Sequence, residues 1–208
     1  MISKLVQLPV RAFRHVVLDR SYDAYYSSDV WERKYRDERY DLGSPGEDAR
    51  YGALLQVLRR YDHGPMLDLG CGDGLLWKHY RPLSNSLLIG VDYSDAAVAK
   101  ANSLALANTE FRCGDYRTFD PGHKLAVAVF NESLYYIDDF MGAIARTEGW
   151  LDDHGLIVVS MFDTLVTRRI WKRLGERGRW IQSLSVHDHG NKRTWTIRVL
   201  ARTAATRS

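Results

Sequence analysis

Apolar strand-like runs alternate with amphipathic helix-like runs between residue 65 and about residue 162. The strand-like runs are short, whereas the helix-like runs carry apolar residues at spacings of three and four. Such alternation is typical of a parallel sheet built from strand–helix–strand units. The predicted strands lie at about 66–70, 87–92, 109–113, 125–130 and 156–162, and the predicted helices between them at about 74–81, 94–107 and 138–151.

The pattern differs on both sides of this alternating region. A helix is expected to begin at Ser44, where Pro45 suits the first helical position and Glu47 completes a capping box. After Asp163, one helical run precedes two strand-like segments that form a hairpin through a turn. These features lie at 163–177 for the helix, 180–187 and 193–200 for the strands, and Gly190 and Asn191 for the turn. We therefore expect a seven-stranded, mostly parallel α/β sheet with an antiparallel edge hairpin and helices on both faces.

Composition limits the class of protein. The chain has 208 residues, of which 45% are hydrophobic, enough for one well-buried domain and too few for two of ordinary size. A net charge of +3 and a pI near 8.8 fall short of the strongly basic balance of nucleic-acid binders, so no nucleic-acid partner is expected. Cys71 and Cys113 offer neither a disulfide framework nor a metal-binding pair, which favours a reduced, cytoplasmic protein.

The N-terminal segment is amphipathic. Apolar residues alternate with basic ones over the first twenty positions, and Pro9, Arg11 and Arg14 interrupt the apolar stretch that a secretory signal requires. We interpret residues 1–43 as a helical cap or lid, with contact to a membrane surface through residues 1–18 as the alternative. The main domain is predicted over 44–200 and a flexible tail over 201–208.

The run MLDLGCGDG at residues 66–74 carries the clearest chemical signal. An apolar strand leads into Gly70, Gly72 and Gly74, where the backbone can turn sharply and approach a nucleotide-like ligand. A nicotinamide-binding loop has a third glycine where Leu75 stands. Asp68 is poorly placed beside a pyrophosphate, because two negative charges would meet, and suits a cationic sulfonium better.

This run resembles the first motif of class I S-adenosylmethionine-dependent methyltransferases, and residues 44–200 follow the order of motifs in that family. The resemblance implies a Rossmann-like fold and S-adenosylmethionine as cofactor, with S-adenosylhomocysteine as product. It implies that the glycine loop lies under the methionine part of the cofactor, that an acid after the second strand holds the ribose hydroxyls, and that an acid after the third strand accepts from the adenine amino group. The implied cofactor-binding residues are Asp68, Gly70, Cys71, Gly72, Asp92, Tyr93, Asp115, Tyr116 and Asn131.

The segment LAVAVFNESLYYIDDF at residues 125–140 is similar to that of small-molecule and sugar methyltransferases, including nodulation-factor N-methyltransferases. It lacks the N/D-P-P-Y/F motif of many nucleic-acid amino methyltransferases. Methyl donor and acceptor should meet at this strand end, where Glu132 is the first candidate base. His187 and His189 are the next candidate bases, and Tyr135 is expected to assist. A hydroxyl acceptor benefits from a base and an amine needs only positioning, so both chemistries remain open.

Acceptor recognition is expected outside the core strands. The predicted substrate-binding residues are aromatic or imidazole side chains: Trp31, Tyr35, Tyr136 and His189. No metal is predicted, because the HDHG cluster has no third ligand in the sequence. A weaker resemblance to methyltransferases of bacterial polysaccharide or natural-product pathways makes a sugar, glycan or glycosylated metabolite the preferred acceptor. A quinone or lipid at a membrane surface, a cofactor-binding protein without catalysis and a nicotinamide-dependent reductase are the alternatives.

Overall fold

The helices and strands follow one another in the predicted order. The computed structural model describes residues 28–37, 47–177, 180–190 and 192–202. The elements are α1 (Ser28–Arg36), α2 (Asp48–Arg60), β1 (Met66–Leu69), α3 (Leu75–Tyr80), β2 (Leu88–Asp92), α4 (Asp95–Ser103), β3 (Thr109–Cys113), β4 (Leu125–Asn131), α5 (Phe140–Trp150), β5 (Leu151–Phe162), α6 (Leu165–Arg177), β6 (Trp180–Asp188) and β7 (Arg193–Ala201). Single 3₁₀ turns follow α3 and β4, at Arg81–Leu83 and Leu134–Tyr136.

One seven-stranded sheet carries the fold, in the order β3-β2-β1-β4-β5-β7-β6. The strands β1 to β5 pair in parallel, whereas β7 is antiparallel to β5 and β6 is antiparallel to β7. The predicted Rossmann-like sheet with an antiparallel edge hairpin is confirmed. Because the strand order reverses between β1 and β4, the carboxyl ends of these two strands flank the crevice in which open α/β sheets bind ligands.

The central strand β4 shows why the sheet is covered on both faces. Residues 125–130 of this strand are all fully buried. Ala126 and Val129 pack with α2, α3 and α4 on one face, and Ala128 and Phe130 pack with α5 and α6 on the other. Burial of a Val, Leu or Phe side chain stabilises the fold by about 1.5–3 kcal/mol. Successive side chains of a strand point to opposite faces, so an uninterrupted apolar run is buried only where both faces of the sheet are covered, at its centre.

Element boundaries differ slightly from those predicted. The Ser94 hydroxyl caps α4 as expected, accepting from the Ala97 amide at 3.0 Å, but α4 ends at Ser103 and not at 107. β5 begins at Leu151, five residues before its predicted start, because it pairs there with Leu125 before a bulge. At this bulge a side chain on Gly155 would place its Cβ 2.8 Å from the Leu125 carbonyl oxygen.

Several predictions fall outside the described residues, namely the helix start at Ser44 and Pro45, the amphipathic residues 1–18, Asn191 of the hairpin turn, and residues 203–208 of the tail. Glu47 does not stand three residues inside the helix, as the predicted capping box requires. Its carboxylate accepts from the Arg50 side chain at 2.7 Å, and Glu47 itself occupies the N-cap position of α2 without a side-chain cap. Within the described ranges, every helix is too short or too polar to cross a bilayer.

Candidate active site

A cavity of about 510 Å³ opens at the carboxyl ends of β1, β2, β3 and β4. Its volume lies within the range of small-molecule sites. The wall is assembled from residues that leave these strands and from α1 and α2, and includes Trp31, Tyr35, Arg50, Tyr51, Gly70, Cys71, Gly72, Asp92, Tyr93, Gly114, Tyr116, Arg117, Asn131, Glu132, Ser133 and Tyr136. Eleven of the predicted site residues are thereby brought together.

The loop after β1 follows a path that requires glycine. Gly70, Gly72 and Gly74 have φ angles of 82°, 54° and 78°, where other residues are strained. A side chain on Gly70 would also place its Cβ 2.6 Å from the Cβ of Ser133. The backbone of Gly70 and Gly72 therefore forms the cavity wall directly, with Cys71 between them.

Asp92 ends β2 and ties the glycine loop to α4. One carboxylate oxygen accepts from the Gly72 amide at 2.9 Å, and the other accepts from the Ser94 amide at 2.9 Å. Burial raises the pKa of Asp92 above its ordinary value, although these amide hydrogen bonds oppose the change. A carboxylate has about four acceptor sites, so Asp92 can also accept from a ligand hydroxyl without releasing the loop.

Two tyrosines line the cavity beside β2 and β3. The ring centroids of Tyr93 and Tyr116 lie 6.5 Å apart in an edge-to-face arrangement. Asp115 is not among the lining residues, and its carboxylate accepts from two side chains that are: the Tyr93 hydroxyl at 2.5 Å and Arg117 Nε at 2.7 Å. Burial alone would raise the pKa of Asp115, but the hydrogen bonds from Arg117 and Tyr93 lower it to about 2. The predicted adenine contact of Asp115 stays a prediction, and Arg117 is a lining residue that the sequence did not indicate.

Arg50 of α2 is a second lining residue that sequence analysis missed. Although only 1% exposed, it donates through Nε to Glu47 Oε2 at 2.7 Å and through Nη1 to the Asn131 side-chain oxygen. A usable signal was present, since Arg50 shares a helical face with Leu54 and Leu58 at spacings of four residues. A charged residue on such a buried face requires partners, and here it links α2 to the end of β4.

Glu132 follows β4 with a left-handed backbone, at a φ of 58°. Its carboxylate accepts from the Tyr135 hydroxyl at 3.1 Å, the Phe162 amide at 3.0 Å and the Ser160 hydroxyl at 3.2 Å. Burial raises the pKa of Glu132 to about 7, against the opposing effect of the Arg50 charge and of these hydrogen bonds. A group in the cavity wall that exchanges protons near neutral pH is suited to general acid–base chemistry.

Aromatic side chains from α1 and from the turn after β4 line the cavity. Trp31 meets Tyr136 edge to face at a centroid distance of 5.1 Å, and Tyr35 lies 6.1 Å from Trp31 on the same helix. Glu32 fixes α1 in place, since its Oε2 accepts from the Ser94 hydroxyl at 2.6 Å and from the first turn of α4. Docking of α1 onto α4 therefore brings the predicted Trp31 and Tyr35 to the cavity, where Trp31 meets Tyr136.

Comparison with known proteins identifies the family. A family model described as a methyltransferase domain matches residues 46–205. The chain belongs to the class I S-adenosylmethionine-dependent methyltransferases. It is 32% identical to the trans-aconitate 2-methyltransferase of Enterobacter sp. (strain 638) over 116 residues, 54% of this chain and 44% of that protein. It is 30% identical to the ubiquinone biosynthesis O-methyltransferase of Bradyrhizobium sp. (strain ORS 278) over 110 residues, 51% of this chain and 41% of that protein.

The matched regions span less than half the length of these curated relatives. Among solved structures, the methyltransferase shares its fold with the N-methyltransferase NodS from Bradyrhizobium japonicum WM9 in complex with S-adenosylhomocysteine. The TM-score is 0.72 at 19% identity, over 85% of this chain and 98% of NodS. This likeness confirms the fold, and the predicted similarity to nodulation-factor N-methyltransferases is confirmed with it.

The described residues of the methyltransferase fit S-adenosylmethionine. Asp68 is 1% exposed, and its Oδ1 has no hydrogen-bond partner within the described part of the chain. Burial and the neighbouring Asp92 charge raise its pKa well above the ordinary value, while Arg50 opposes them. Although Asp68 lies behind the lining and not in it, a cation in the cavity would stabilise its ionised form. A sulfonium ligand that carries an ammonium group supplies such charge.

The structure does not bring the two predicted histidines to the cavity of the methyltransferase. His187 and His189 are exposed on the edge hairpin, and His187 Nδ1 lies 3.1 Å from Thr194 Oγ1. Alternation along β6 turns His187 outward, and β7 and β5 separate β6 from β4. Tyr135 also lies outside the lining, and it contacts lining residues through its hydrogen bond to Glu132 and through its ring, whose centroid lies 4.5 Å from that of Tyr136. In the described ranges, no three His, Cys, Asp or Glu side chains are grouped so as to bind a metal ion.

Proposed function

We propose that this methyltransferase transfers a methyl group from S-adenosylmethionine to an oxygen or nitrogen atom of a small molecule, with a sugar, glycan or glycosylated metabolite as the acceptor. One observation carries the proposal: Asp92 and Glu132 line a single cavity together with the aromatic rings of Trp31, Tyr35 and Tyr136. Aromatic rings provide flat apolar surfaces with polar tips, against which the C–H faces of a sugar ring pack well.

The cofactor end of the cavity is assigned by the chemistry of each part of S-adenosylmethionine. Asp92 suits the ribose hydroxyls, since two hydroxyls on one carboxylate make charge-assisted hydrogen bonds. The glycine loop leaves room for the methionine part, and Asp68 places negative charge behind it. We assign Tyr93, Tyr116 and Asp115 to the adenine. We assign Arg50 and Asn131 to the methionine part.

When bound, S-adenosylmethionine supplies a methyl carbon that the sulfonium already activates, so that the enzyme contributes mainly orientation and exclusion of water. Trp31 and Tyr136 exclude water from the acceptor end, and Glu132 accepts the proton that the acceptor atom loses. Tyr135 positions the Glu132 carboxylate through its hydroxyl. We also propose a cytoplasmic location, because Cys71 and Cys113 are free thiols.

The proposal is tested by transfer of a radiolabelled methyl group from S-adenosylmethionine in an extract of the native host, with products separated into water-soluble, lipid and macromolecular fractions. We expect label in a water-soluble or lipid-linked glycan. Label confined to protein or RNA would overturn the small-molecule assignment, whereas label in quinones would retain it and exclude the sugar. An Asp92→Ala variant under the same conditions controls for host enzymes.

A quinone or lipid acceptor is the second candidate. It is favoured by the similarity to a relative named for ubiquinone biosynthesis and by the amphipathic residues 1–18. Deleting those residues and measuring the fraction of protein bound to anionic vesicles separates the two candidates. Equal binding of the full and shortened chains to the vesicles would exclude contact with a membrane surface through residues 1–18.

A further inference from the structure

The two outer strands of the sheet differ in how their edges are protected. An edge strand exposes unpaired amide and carbonyl groups, and proteins blunt such an edge with charged side chains, proline or a short strand. At one edge, β3 has five residues and carries an ion pair between Arg112 and Glu110. At the other edge, β6 has nine residues and, from Trp180 to His187, no lysine, arginine, aspartate, glutamate or proline. Within the described ranges, no strand pairs with the outer edge of β6.

The regular part of β6 is the segment 182–188. A bulge interrupts the pairing with β7 between Trp180 and Gln182, and from there to Asp188 every residue has a partner in β7. A bulge also discourages pairing with another strand, but this one affects only the start of β6. In the regular segment, every second residue directs its amide and carbonyl groups away from β7 and towards the outer edge.

The side chains of this segment alternate between two environments. Leu184 and Val186 are half-buried and pack against the core on the face of the sheet that α2 covers. Ser183, Ser185 and His187 are exposed on the opposite face. The outer edge of β6 therefore has partly exposed apolar side chains on one side and polar side chains on the other.

We propose that two copies of this protein pair through the segments 182–188, antiparallel to each other and about a two-fold axis at Ser185, so that their sheets form one continuous sheet. In this register, Leu184 of one copy lies opposite Val186 of the second copy, on the α2 face. Ser185 lies opposite Ser185 of the second copy, on the other face. Pairing completes the burial of the apolar side chains and satisfies the outward amide and carbonyl groups.

The remaining residues of the segment also meet residues of their own kind. Ser183 lies opposite His187 of the second copy, and Gln182 lies opposite Asp188 of the second copy. The segment is thus complementary to itself, as an interface around a two-fold axis requires, and for this reason a second copy fits the edge better than an unrelated strand. Because β7 and β5 separate β6 from β4, each copy keeps its own cavity.

The strength of this interface follows from its size. Pairing of the regular segments forms about six to eight hydrogen bonds between the copies, since alternate residues contribute two each. Interfaces of this small size give weak complexes, so we expect a dissociation constant of about 10 µM.

The first test measures the oligomeric state by sedimentation equilibrium between about 1 and about 200 µM protein, a range that spans the expected dissociation constant. Ser185→Lys and Ser185→Glu should each weaken the dimer, because like charges then lie directly opposite each other. An equimolar mixture of the two variants should associate about tenfold more tightly than either variant alone. Ser103→Lys, a matched change at an exposed position of α4, should dimerise like the wild type. A wild type that stays monomeric throughout, or a mixture that associates no better than the single variants, would overturn the proposal.

The second test locates the interface by amide hydrogen exchange at the two ends of this concentration range. We expect exchange in β6 to slow at the higher concentration, and exchange in the protected edge strand β3 to stay the same. Slow exchange in β6 at both concentrations would show that the chain covers its own edge, and a dimer without slower exchange in β6 would place the interface elsewhere. Either result would overturn the proposal. Neither test involves methyl transfer, so the proposed function stands or fails separately.

Discussion

Replacing Glu132 by glutamine removes a carboxyl group whose ionisation the folded protein disfavours. Burial raises the pKa of Glu132 from an ordinary 4.5 to about 7. Since the folded value is the higher one, this group contributes stability that is fully present below pH 4.5 and is lost as the pH rises through about 7. The whole difference corresponds to about 3 kcal/mol. A glutamine side chain does not ionise, so the stability of the variant lacks this dependence on pH. Arg50 keeps Glu47 and Asn131 as hydrogen-bond partners in the variant.

We therefore expect Glu132→Gln to gain about 2–3 kcal/mol relative to the wild type between about pH 5 and about pH 8.5. Urea unfolding at both pH values measures this change in the free energy of unfolding. Any packing effect of the substitution that is constant with pH cancels in the comparison of the two pH values. The exposed Glu176→Gln variant should show no such dependence. A difference between Glu132→Gln and the wild type that stays constant, or that falls with rising pH, would refute the assignment of Glu132 as a buried group with a raised pKa.

Three further substitutions test the architecture of the site. Gly70→Ala should destabilise by about 1–3 kcal/mol in urea unfolding, because its φ is 82° and its Cβ would meet Ser133 at 2.6 Å; a variant as stable as the wild type would show that the loop has another conformation. Glu32→Gln should speed amide hydrogen exchange in α1 and leave α5 unchanged, because the carboxylate that docks α1 loses its charge; equal exchange in both forms would refute this docking role. His187→Ala should keep kcat/KM within about twofold, as is usual for surface substitutions, and a large loss of activity would restore this histidine as a base.

The sheet was predictable because its signals are local. The apolar run at 125–130 matches complete burial of the central strand, and the glycine loop and Asp92 follow directly from strands that the sequence reveals. The edge hairpin was predictable from alternation and from the turn at Gly190. Each of these features depends on residues close together in the chain.

The missed features depend on distant residues. Arg50 lies 81 positions from Asn131, so no local pattern shows that its guanidinium lines the cavity. Asp115 matches the family motif, yet its carboxylate is held by Arg117 and Tyr93, a partnership that spacing alone does not reveal. His187 was placed near the substrate by its residue type, whereas the position of its strand in the sheet removes it from the site.

The central claim, that the cavity at the strand ends binds the cofactor through Asp92, is tested most directly by calorimetric titration with S-adenosylhomocysteine. We predict one binding site on the wild-type protein. Asp92→Ala should weaken that site by about 1.5–3 kcal/mol, the range for hydrogen bonds to a charged group. Absence of binding to the wild type, or equal affinity of the wild type and the Asp92→Ala variant, would contradict the account.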